Sequence, residues 1–140
     1  MPLPTPRYST LPRLTGALAL AAACLASTAW AASASEQLAL YVSQAGAVGA
    51  PARGQAFFTQ KHGREWSCST CHGELPTQTG KHAATGKPIN ALAPAFNPER
   101  FSDAAKTEKW FRRNCNDVVG RECSAAEKAD VLSWLLLLKR

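Results

Sequence analysis

Cys68, Cys71 and His72 form the run Cys68-Ser69-Thr70-Cys71-His72, whose residue types and spacing suit one chemistry above others. Two cysteines three positions apart reach both vinyl groups on one edge of a porphyrin, and the residue that follows points at the iron. A neutral imidazole then coordinates through one nitrogen while its other nitrogen donates to a backbone carbonyl in the following loop. The implied cofactor is one covalent haem c. Zinc and a redox-active dithiol also use Cys-x-x-Cys pairs. Zinc would take His72 as a third ligand and His62, His82, Cys115 or Cys123 as a fourth. A thioredoxin-like dithiol expects a βαβ context, and no such pattern occurs.

The distal side of the iron is the open question. Methionine serves there in many small c-type cytochromes and raises the potential, but Met1 is the one methionine in the chain. The sixth position therefore falls to His62, His82, a lysine, an asparagine, or water. His62 lies too close before the attachment motif to swing easily to the opposite face. His82, in the long loop after the motif, reaches more readily and would give a bis-histidine electron carrier with His72.

These residues sit behind an export signal. Arg7 and Arg13 precede an apolar stretch from Leu14 to Trp30, followed by small residues suited to cleavage after Ala31 or Ala34. Ser27 and Thr28 interrupt the stretch, which is short for a membrane span of about 20 residues. Cys24 lacks the leucine three positions earlier that a lipid-acceptor cysteine usually has. The expectation is a signal peptide over 1–31, one domain over 32–140, a periplasmic location and no membrane span after cleavage. Met1, Arg7, Arg13 and Cys24 leave with the signal. Four cysteines remain, read as one haem attachment site and one disulfide in an oxidising compartment. The remaining charge of +4 is scattered, with no basic stripe or stacking aromatics, so nucleic-acid binding is not expected.

The elements that must position the motif read as helices with long loops. Ser35 caps a helix over 36–45, and a second follows over 52–61. Prolines 76, 88, 94 and 98 exclude a long helix or central strand between Gly73 and Arg100. An irregular loop of that length needs an organiser, and a haem can serve, with Ile89, Leu92, Ala93 and Phe96 packing on it. Ser102 caps a helix through Asn114. Ser124 and Glu127 form a capping box for the last helix, which carries Val131, Leu132, Leu135 and Leu138 at helical spacing. No strand alternation is evident, so the fold is expected to be all-α.

The chain resembles the sphaeroides haem protein family of oxygen-binding class I cytochromes c. The likeness lies in Gly54 to Phe58, in Cys68 to Gly73, in Thr85-Gly86-Lys87, and in Leu92-Ala93-Pro94 with Pro98-Glu99-Arg100-Phe101. It continues through Lys109-Trp110, the run from Arg112 to Cys123, Glu127 to Asp130, and Trp134. The segment from Asn114-Cys115-Asn116 to Gly120-Arg121-Glu122-Cys123 is its most specific part. The resemblance implies a class I cytochrome c fold and a Cys115–Cys123 disulfide. It implies that Asn114 ligates ferric iron and leaves on reduction, opening a site for dioxygen, carbon monoxide or nitric oxide. It also implies a dihaem cytochrome c, or another redox protein, as partner. A hard amide oxygen is a weak ligand for haem iron, which suits loss on reduction. Two other functions stay open, a plain carrier with His82 as permanent ligand and a reductase for dioxygen, peroxide or a nitrogen oxide.

Overall fold

Five helices and one two-stranded ladder make up the described chain, Met1 and residues 33–140, in this computed structural model. They run α1 (Ala34–Ala45), α2 (Pro51–Thr59), α3 (Cys68–His72), β1 (Gly80–Lys81), β2 (Pro88–Ile89), α4 (Ala104–Val118) and α5 (Ala125–Leu137). The expected signal peptide lies outside the described residues, Met1 apart. No helix among the described residues is long and apolar enough to cross a membrane.

The apolar face of α5 founds the core. Ser124 and Glu127 cap it reciprocally, as expected: the Ser124 hydroxyl accepts from the Glu127 amide, and the Glu127 carboxylate accepts from the Ser124 amide at 2.8 Å. Ala129, Val131, Leu132, Trp134 and Leu135 are buried there with Tyr41 of α1 and Phe58 of α2. A fully buried leucine contributes about 1.5–3 kcal/mol by leaving water. Gly54 lets α2 approach closely, because a Cβ there would collide with the backbone carbonyl of Asp130. Beside this crossing the buried Asp130 carboxylate accepts from the Ala50 amide at 2.6 Å. It also takes two bonds from Arg53, at 2.8 and 2.9 Å.

Several boundaries differ from expectation for local reasons. Helix α1 is capped by Ser33, not Ser35, because Glu36 stands three residues after Ser33 and completes a capping box with it. Helix α2 starts at Pro51, whose fixed φ suits a first helical position. Ser102 does not cap α4, since its hydroxyl donates to the Glu99 carbonyl at 2.8 Å. Asp103 takes that role, accepting from the Lys106 amide at 2.9 Å. The helix also continues past Asn114 to Val118, which puts Asn114 in its interior. Residues 73–100 are irregular as the prolines dictate, apart from the antiparallel pairing of Gly80 with Ile89 and Lys81 with Pro88. Strands of two residues are too short to show alternation.

Helix α4 is the exception to the close packing. Its backbone packs closely on none of the other described helices, whereas α1 and α2 both lie against α5. Side chains tether it instead. Phe111 meets Tyr41 edge-on at 5.7 Å, Glu108 pairs with Lys128 at 2.7 Å, and Cys115 joins Cys123 ahead of α5 with their Cα atoms 5.6 Å apart.

Candidate haem site

Ser67 starts α3 by a capping box with Thr70, so the cysteines and the histidine stand on one short turn of helix. Cys68 faces the core and packs against it. Desolvation pushes its thiol up to about 11, away from the low-pKa thiolate of a redox-active dithiol. Among the described residues no three His, Cys, Asp or Glu side chains cluster to hold a metal ion. Cys71 faces the ladder. Its Sγ accepts from the Ala83 amide at 3.3 Å, and Gly80 sits so near the Cys71 carbonyl that any Cβ would collide with it.

His72 lies beside Phe58, ring centroids 6.1 Å apart. Burial, followed by the nearby Arg100 guanidinium, pushes its pKa down to about 4, leaving a neutral imidazole with a lone pair at physiological pH. The expected carbonyl acceptor for its second nitrogen is not formed among the described residues. In the loop after α3 the carbonyl of buried Pro76 accepts from the Leu92 and Ala93 amides, both at 3.0 Å. Arg100 was not anticipated. Its guanidinium donates to the carbonyls of Asn90 at 2.8 Å and Ala91 at 3.0 Å, tying the irregular loop together. Only its place in the resembling segment pointed to it.

Leu92 packs against the helical core, Ala93 is fully buried, Ile89 is half-buried on β2, and half-buried Phe96 lies under the Arg140 guanidinium at 6.0 Å. Of the four, Leu92 alone packs against the helical core cluster from a half-buried position. Asn114 is exposed on α4 one turn after Trp110, which is itself 43% exposed and stacked by Arg113 at 5.7 Å. Among the described residues the Asn114 amide makes no hydrogen bond, whereas Asn116 donates back to the Arg112 carbonyl at 2.8 Å.

The two histidines weighed against Asn114 are both engaged. His62 stacks on Phe57 at 4.3 Å and donates through Nε2 to the Phe57 carbonyl at 2.8 Å. His82 accepts at Nδ1 from the Thr85 amide at 3.2 Å. In a neutral ring that acceptor role places the proton on Nε2 and removes the lone pair needed to bind iron there.

The residues fit a haem. Between the segment 62–66 leading into Cys68 and the end of α4 lies an open cleft of about 650 Å³, lined by His62, Arg64, Trp66, Asp117 and Val119 among others. None of Cys68, Cys71, His72, Trp110 or Asn114 lines that cleft, whose walls are mostly polar, so the fit rests on α3 itself, which sets both cysteines and His72 on one short turn of helix. Cys68 and Cys71 would hold the haem covalently, with His72 as an iron ligand.

A family profile described as a domain of unknown function, DUF1924, matches residues 44–135. The chain is similar to the cytochrome c-type protein SHP of Cereibacter sphaeroides, at 52% identity over 96 residues covering 64% of this chain and 74% of that protein. The structure of oxidized SHP, described as an oxygen binding cytochrome c, aligns with a TM-score of 0.69 at 46% identity, covering 74% of this chain and 95% of that one. The solution structure of cytochrome c'' from Methylophilus methylotrophus, presented for its insights into haem-ligand detachment, aligns with a TM-score of 0.68 at 34% identity. It covers 76% of this chain and 94% of that one.

Proposed function

The chain belongs to the DUF1924 family of SHP-like c-type cytochromes and carries haem c. From that premise we propose that it is a periplasmic electron carrier whose Asn114 ligates ferric iron and releases ferrous iron to a diatomic gas. The haem supplies a one-electron couple and, when reduced, an open coordination position. The chain's own residues do the rest. His72, kept neutral, stays as the permanent ligand. Asn114 presents a neutral amide oxygen held mainly by ion–dipole attraction, which weakens when reduction removes a positive charge. One observation carries this reading: His62 Nε2, His82 Nδ1 and the Asn116 amide each hold a hydrogen bond, while the Asn114 amide holds none among the described residues. Visible spectra test it. Oxidised protein is expected to be six-coordinate, and reduced protein high-spin and rapidly converted by carbon monoxide; a reduced protein inert to carbon monoxide would remove the gas-binding function.

The Cys115–Cys123 link closes the chain directly behind Asn114 and limits how far α4 can carry it between bound and released positions. Thiol titration of denatured, unreduced protein is expected to find no free thiols, and reduction to cost about 2–3 kcal/mol of stability. Two titratable thiols would contradict the link.

Cleavage after Ala31 leaves Ser33 and its box with Glu36 to start α1, whereas cleavage after Ala34 removes the cap, a loss of about 1 kcal/mol. The mature N-terminus is therefore expected at Ala32, checked by intact mass of the exported protein. A start at Ser35 would contradict it.

We further propose a dihaem cytochrome c as electron partner. Lys106, Lys109, Arg112 and Arg113 are exposed on α4 and contribute to a positive field that steers an acidic protein toward this molecule. Association then slows as salt rises, because charge is screened within about 8 Å at physiological ionic strength.

A further inference from the structure

From 75 to 98 the chain has no acidic residue, although Glu74 and Glu99 bracket the segment. Lys81 and Lys87 stand exposed in the middle of it, and neither forms a salt bridge among the described residues. We propose that the hairpin over residues 80–89 is the contact surface for an acidic one-electron redox protein, seated over the Cys71 sulfur. The inference rests on reading the chain as an electron carrier.

Proximity is the first argument. Electron tunnelling weakens exponentially with separation, so a partner gains most by docking where the surface lies nearest the attachment atoms. The exposed Ala83 donates its amide directly to Cys71 Sγ at 3.3 Å, so the hairpin is surface one hydrogen bond from that sulfur. Gly80 maintains the approach, since a side chain there would drive the ladder off the Cys71 carbonyl.

Shape and stiffness are the second. Ala83 and Ala84 at the tip are small and let another surface come close. The turn is held by His82 N–H to the Lys87 carbonyl at 2.9 Å and by Gly86 N–H to the His82 carbonyl at 2.8 Å. The His82 ring braces it further, at Thr85 N–H. A surface already ordered loses little entropy on docking, and its small area suits a transient electron-transfer encounter.

Charge is the third. The basic side chains of α4 are interleaved with Asp103, Glu108 and Asp117, so that helix offers a mixed surface at close range. The hairpin offers positive charge alone. The field of α4 acts at a distance, and the hairpin makes the contact.

Stopped-flow oxidation of reduced, haem-loaded protein by hexacyanoferrate(III) tests this. One electron leaves the protein and the complex becomes hexacyanoferrate(II). Lys81→Glu with Lys87→Glu is expected to slow the second-order reaction about fivefold or more at low salt, converging with wild type at high salt. The same pair should speed oxidation by the cationic tris(phenanthroline)cobalt(III). Lys106→Glu with Lys109→Glu, an equal change of charge acting only through the long-range field, should change either rate less than the hairpin pair does. Unchanged visible spectra establish that each variant is folded and loaded. An α4 effect equal to or larger than the hairpin effect overturns the docking surface and leaves the carrier function standing. If neither complex oxidises the wild-type protein, the carrier function itself fails.

Discussion

Replacing Asn114 with alanine is expected to convert the six-coordinate ferric protein to a high-spin or water-ligated one, while Asn116→Ala and His82→Ala leave the ferric spectrum unchanged. Asn114 is exposed on the interior of α4, one turn after Trp110, and methyl-sized alanine keeps the helix while removing the amide. Asn116 is the same residue type two positions on, but it is bonded to its own helix at Arg112. His82 is the stronger ligand chemically, yet its Nδ1 accepts from Thr85 and its turn is tied to the ladder beside Cys71. Freeing its ring would cost the bond from the Thr85 amide. Retention of the native ferric spectrum in Asn114→Ala, with loss of it in His82→Ala, would transfer the distal role to His82 and make the chain a bis-histidine carrier.

The second large effect is on stability and comes from Gly54. Valine there would place its side chain where the Asp130 carbonyl now sits, at the crossing of α2 and α5 that also buries Phe58 and Leu132. Neither backbone can retreat without disturbing the Asp130 bonds to Ala50 and Arg53. Overpacking of this kind costs about 1–3 kcal/mol, which in a domain of this size lowers Tm by about 5–15 °C. A thermal melt of haem-loaded Gly54→Val within a few degrees of wild type would show that the helices are not in such close contact.

How far the sequence alone reached depends on the range over which each signal acts. The Cys68–His72 spacing and the Ser124–Glu127 box are set by residues a turn apart, and both appear as read. The first cap was misplaced between two serines, because Glu36 chooses Ser33 only through a reciprocal bond. At α4 the hydroxyl of Ser102 is diverted to Glu99, leaving Asp103 as the cap, and nothing in the order of residues states which contact prevails. The end of that helix is decided by buried Val118 and by Cys115 pairing forward to Cys123, both tertiary effects. The commitment of His62 and His82 is likewise invisible until the fold brings the Phe57 carbonyl and the Thr85 amide to their rings. The short ladder escaped because two residues per strand carry no period, and the need for glycine at position 80 emerges only against the Cys71 carbonyl. The proposal for Asn114 rests on the resemblance, since local pattern offered only one asparagine among several.

The central claim is a ligand exchange at Asn114 governed by the oxidation state of the iron. Crystal structures of the haem-loaded protein, solved oxidised and then after reduction of the same crystals, test it most directly. The account predicts Asn114 Oδ1 on the iron in the oxidised crystal and withdrawn from it in the reduced one, with His72 bound in both. His82, or any other side chain, bound opposite His72 in both oxidation states would contradict it.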